Sequence, residues 1–166
     1  MEILKIDHGK GIGPIKLGMS RDEVYKILGH PKNPKEVCEW VGDYHISYKD
    51  NKVNFIEIPS SFMDTHFVLF NEVDVFRTEA KLLVRYISDY GRYDEKDWEL
   101  GYSYKFPTLG MGFWRPTIFE YEMVNDPEFK EMDEEIQRDE IKYLYFESVC
   151  VYTNDYYKKE QEGLYE

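Results

Sequence analysis

Two runs of alternating residues, Tyr44-His45-Ile46-Ser47-Tyr48 and Val53-Asn54-Phe55-Ile56-Glu57-Ile58, are separated only by Lys49-Asp50-Asn51-Lys52. A period of two gives each strand one apolar face, and so short a link of turn formers can join strands only antiparallel. A β-hairpin over 44–58 therefore constrains the fold more than any other stretch. A second hairpin is expected from 99–106 and 109–114, with Pro107 and Thr108 at the bend. His66–Phe70 reads as a further short strand. Residues 143–152, rich in aromatic and β-branched side chains, read as the last one.

Two helices interrupt this pattern. Ser20 stands three residues before Glu23, the spacing of a capping box, and Val24, Ile27 and Leu28 then form one apolar stripe. Gly29 can end that helix in left-handed geometry and Pro31 prevents its restart, so a helix over 20–28 is predicted. A second helix is predicted over 78–90, capped by Thr78 and stopped by Gly91. Its apolar face is Ala80, Leu83, Val84, Ile87 and Tyr90. Residues 9–18 hold four glycines and a proline and read as turn or irregular chain. Strands and helices without βαβ alternation point to an α+β fold, an antiparallel sheet with helices on one face. At 166 residues, of which 42% are hydrophobic, the chain has the size and core for one domain, 1–166. Helix followed by hairpin occurs twice, suggesting pseudo-repeat halves 1–76 and 77–155.

Acidic residues outnumber basic ones 33 to 21, a formal charge of −12. That sign excludes nucleic acid and anionic membrane as expected partners, since both would be repelled. Between Glu120 and Glu140, ten Asp or Glu face only Lys130 and Arg138, a local net of −8. After a turn at Asp126-Pro127, the spacing of Phe129, Met132, Ile136 and Ile141 allows a short amphipathic helix. Two readings fit this acidic insertion. It is a solvated face, or it is a surface complementary to a basic protein, with Glu131, Asp133, Glu134, Glu135, Asp139 and Glu140 as the contacting carboxylates.

No catalytic constellation is legible. Gly9-Lys10-Gly11-Ile12-Gly13-Pro14 lacks both the Gly-Lys-Ser/Thr of a phosphate loop and the spacing of a dinucleotide fingerprint. No Gly-x-Ser-x-Gly elbow occurs. None of His8, His30, His45 and His66 lies in a metal-ligand spacing, so neither a metal nor a cofactor is expected. His45 and His66 both fall in strands, and an enzyme using them with nearby carboxylates is the alternative to a binding module. Cys38 and Cys150 read as free thiols; Cys38 stands beside Glu36 and Glu39, whose charges disfavour a thiolate. Gly110-Met111-Gly112-Phe113-Trp114-Arg115-Pro116 reads either as a closely packed strand with Trp114 buried or as a Trp114–Arg115 anchor at a protein interface. The N-terminus lacks a signal-like apolar stretch, and runs such as Phe67-Val68-Leu69-Phe70 are too short to span a bilayer. A cytoplasmic protein is expected.

The segment Leu17-Gly18-Met19-Ser20-Arg21-Asp22-Glu23-Val24-Tyr25-Lys26-Ile27-Leu28-Gly29-His30-Pro31 resembles the opening helix of the SmpA and β-lactamase-inhibitor-protein (BLIP) modules. These share a Gly-Met-Ser/Thr start, a Leu-Gly end and a following proline. The resemblance implies a helix followed by antiparallel strands, in tandem in the inhibitor protein, and a scaffold used to bind proteins. Gly11-Ile12-Gly13-Pro14-Ile15-Lys16-Leu17-Gly18-Met19 is also similar to small bacterial proteins that look like immunity partners of toxins. The expectation that follows is a non-catalytic immunity-type inhibitor of a basic toxin domain. Nucleases are the natural targets, because enzymes that hold polyanions are themselves basic.

Overall fold

The computed structural model describes residues 1–157. In chain order its elements are β1 (Glu2–Asp7), β2 (Gly11–Ile12), β3 (Ile15–Lys16), α1 (Arg21–Leu28), β4 (Cys38–Val41), β5 (Tyr44–Lys49), β6 (Lys52–Pro59), β7 (His66–Phe70), β8 (Val73–Asp74), α2 (Ala80–Ile87), β9 (Ser103–Phe106), β10 (Met111–Trp114), α3 (Pro127–Lys130), α4 (Glu134–Ile141) and β11 (Ser148–Tyr152). The fold is α+β. Six strands form an antiparallel sheet in the order β4-β5-β6-β11-β10-β9. Two meanders, each following a helix, thus meet where β6 pairs with β11.

One antiparallel sheet was expected, and a second is present. Strands β3-β2-β1-β7-β8 form a smaller sheet in which β1 and β7 run parallel, Leu4 opposite Val68. Its apolar side, Leu4, Ile6, Val68 and Phe70, joins Val24 of α1 and Leu83 and Ile87 of α2 against the inner face of the large sheet. That inner face presents Val41, Ile46, Ile56, Ile58, Val149 and Phe113, so one continuous core lies between the layers. The helices and the small sheet cover one side of the six strands; on the other, here called the open face, no helix of the described residues packs, but Tyr156 and Tyr157 lie over Phe55, Cys150 and Tyr152.

Local chemistry explains most element ends. Ser20 Oγ accepts from the Glu23 amide while Glu23 Oε1 accepts from the Ser20 amide, completing the predicted capping box. The hairpin turns on Asp50 and Asn51, both with positive φ (52° and 60°), as a two-residue turn matching the strand twist requires. Helix α2 is shorter than predicted at both ends. Thr78 Oγ1 donates to the Asp74 carbonyl instead of capping α2, and Ser88 Oγ donates to the Val84 carbonyl. Strands β9 and β10 also start later than expected, since 99–102 form turns, and 142–144 form a 3₁₀ turn before β11.

An ionic clamp fixes α1 to the sheet. Glu39, on the inner side of β4, is 2% exposed; it pairs with Arg21 and accepts from Tyr25 Oη at 2.6 Å. The Arg21 guanidinium also stacks over the Tyr48 ring at 4.0 Å and donates to the Lys35 carbonyl at 2.8 Å. Removing the carboxylate leaves a half-buried cation and a phenol without their acceptor. Glu39→Ala is therefore expected to lower unfolding free energy by about 2–3 kcal/mol. Denaturant titration checks this, with Tyr25→Phe expected to cost only about 1 kcal/mol.

Candidate functional site

Alternation along six paired strands sends every second side chain to the open face. Register assembles a transverse row there: Trp40, His45, Glu57, Cys150, Gly112 and Lys105, one from each strand. The neighbouring row is Pro59, Ser148, Trp114 and Ser103. All three tryptophans lie on this face or over it. Trp40 is 51% exposed, Trp114 40%, and Trp98, in the turn-rich segment before β9, 84%. Trp98 and Trp114 flank a cavity of about 330 Å³ whose floor includes Gly112 and Cys150. A Cβ on Gly112 would stand 3.3 Å from both Cys150 Sγ and the Tyr104 carbonyl, so glycine keeps the floor low. Tyr157 also lines this cavity and meets Tyr152 edge-on at 4.7 Å, and beside it Phe55 stacks on Tyr156 at the same distance.

The face is ordered by polar contacts on its rim. Lys105 Nζ lies 3.6 Å from Asp97 Oδ2 and 4.3 Å from the Tyr157 ring, and the Asp94 amide donates to the Lys105 carbonyl. These hold the segment carrying Trp98 against β9. Burial pushes the Cys150 thiol up to about 12, with Glu57 adding to the shift, so Cys150 is a neutral part of the floor. The Tyr152 phenol is likewise raised by burial.

Trp114 and Arg115 are adjacent in sequence and opposite in role. Trp114 is exposed, against the reading that buried it, whereas Arg115 is 1% exposed and cannot reach a partner. The Arg115 guanidinium donates to the carbonyls of Gly101, Phe119 and Tyr143 at 2.9–3.0 Å and to Glu120 Oε1 at 2.8 Å. It ties the start of the acidic insertion to the sheet. The insertion then folds as α3 and α4 around its own small core of Phe119, Phe129 and Leu144. Glu131, Asp133, Glu134, Glu135 and Asp139 are exposed and Glu140 half-buried, with Asp139 3.8 Å from Lys142.

The two strand histidines do not converge. His45 is on β5 of the large sheet; His66 is on β7 of the small one, 3.1 Å from Glu2 Oε2. Instead His45 Nε2 lies 2.8 Å from Cys38 Sγ and its Nδ1 3.4 Å from Glu57 Oε1, a grouping not anticipated from the sequence. Among the described residues, no group of three His, Cys, Asp or Glu side chains is placed to hold a metal ion, and no helix is long and apolar enough to cross a membrane. Compared with protein-family models, curated proteins and solved structures, the chain matches none.

Proposed function

We propose that this chain is a non-catalytic protein-binding module of the immunity type, an inhibitor that covers the working surface of a basic toxin domain. The open face of the six-stranded sheet is its docking surface. The observation that carries this reading is the placement of all three tryptophans, 40–84% exposed, on one side of one sheet. Exposed tryptophans keep apolar area in water that a partner would bury, and tryptophan is among the residues most enriched where binding energy concentrates. The cavity between Trp98 and Trp114 would receive one side chain of the partner.

The charge supplies the approach. A chain at −12 attracts a basic domain over a Debye length, and the exposed carboxylates of α4 are the densest part of that field. Steering charges act on association rate more than on residence time. With the partner recovered from the native cell by the wild-type chain, Glu134→Lys with Glu135→Lys is expected to slow association about tenfold at low salt and to flatten its salt dependence. Stopped-flow mixing measures both; an unchanged rate would remove the acidic helix from the encounter.

A further inference from the structure

We propose that Cys38 is a reactive thiol, with His45 as its proton acceptor and Glu57 as the residue positioning that imidazole, and that it forms a mixed disulfide with a small anionic disulfide. The geometry carries this. Cys38 and His45 project to the open face from neighbouring strands, Sγ 2.8 Å from Nε2, while Nδ1 faces the Glu57 carboxylate at 3.4 Å. Trp40, directly across from His45, stacks on the ring at 4.8 Å and 21°, which restricts its rotation. Nucleophile, base and orienting carboxylate thus stand in the order that thiol activation requires.

The ligand class follows from the cavity beside the thiol. Cys38, His45 and Trp40 line a space of about 740 Å³ closed by the segment after α1, which brings Lys32, Lys35 and His30. Residues 24–35 contain three lysines and no acidic residue, an exception in a chain of net −12. The carboxylates on this cavity are Glu39, turned to the other side of β4 and neutralised by Arg21, and Asp43. Lys32 and Lys35 therefore favour an anionic ligand in this cavity. The step balances without an added oxidant. His45 Nε2 takes the Cys38 proton, Sγ attacks one sulfur of the incoming disulfide, the S–S bond breaks, and the other half leaves as a thiolate that the imidazolium can protonate. Cys38 becomes the oxidised partner and the departing thiol the reduced one.

The test uses the whole chain at neutral pH with 5,5′-dithiobis(2-nitrobenzoate), an anionic disulfide, and 2,2′-dithiodipyridine, a neutral one. One thiol per native chain is expected to react rapidly, and mass spectrometry should place the adduct on Cys38, with Cys150 reacting only after unfolding. His45→Ala should slow the reaction at least tenfold, and Glu57→Gln several-fold, with far-ultraviolet circular dichroism confirming the fold of each. A thiol that is merely accessible would behave oppositely and react faster once the imidazole covering it is gone; that result would overturn the proposal. Lys32→Glu with Lys35→Glu should slow the anionic reagent at least fivefold and leave the neutral one unchanged. Equal effects on both reagents would contradict the anionic preference.

Discussion

Arg115→Ala is expected to lower the unfolding free energy by about 3–5 kcal/mol, the largest effect of any single substitution considered for this chain. Three carbonyls and one carboxylate converge on the guanidinium, and the side chain is 1% exposed. Its removal strands the buried Phe119 carbonyl and leaves the half-buried acceptors of Gly101, Tyr143 and Glu120 without their donor, and each orphaned buried acceptor costs about 1 kcal/mol or more. Lysine offers one point charge and cannot span Gly101, Phe119, Tyr143 and Glu120 together, so Arg115→Lys should recover only part of the loss. Denaturant unfolding followed by circular dichroism measures both variants. Amide exchange adds a local readout: residues 116–145 should lose protection first, because Arg115 joins their small core to the sheet. Wild-type stability in Arg115→Ala would mean that the acidic insertion is held by its apolar contacts alone.

Alanine at Trp98 or Trp114 is expected to weaken partner binding by about 2 kcal/mol or more each, roughly 30-fold in Kd, with little change in stability. The selectivity follows from exposure. Trp98 is 84% and Trp114 40% exposed, so neither contributes much to the core, yet together they form the walls of one cavity. Truncating both should lose less than the sum of the two, because they share the space they enclose. Isothermal titration with the recovered partner gives the affinities. Dissociation should accelerate while association stays near wild type, the reverse of the pattern expected from Glu134→Lys with Glu135→Lys. The two surfaces are thereby separable by kinetics.

What was readable from sequence was local. The capping box of α1 depends on four consecutive residues, and the hairpin on a turn of two, so both were legible. Strand β4 was not, because its pattern is inverted: Cys38 and Trp40 point outward while the carboxylate of Glu39 points in. Only Arg21 and Tyr25, fourteen or more residues away, make that burial tolerable. The β1–β7 pairing was hidden for a similar reason, since it joins residues more than sixty apart. Cys38, His45 and Glu57 were each visible, but their meeting depends on a bulge. Counting back from the Asp50-Asn51 turn pairs His45 with Ile56; the register shift at Ser47/Tyr48 moves the partner to Glu57. The grouping of the tryptophans was not legible because Trp98 stands in a turn segment and Trp40 in the inverted strand β4, and deciding which side of a sheet each faces needs the whole topology. Trp114 was singled out, and the structure places it on that side; Arg115, singled out with it, serves the fold.

Photo-crosslinking inside the native cell tests most directly whether the tryptophan-bearing side of the large sheet is where this protein works. A photoreactive phenylalanine at position 98 should give one strong adduct to a basic protein, and the same residue at position 85, on the exposed side of α2 across the core, should give none. Adducts forming from position 85 and not from position 98 would contradict the account.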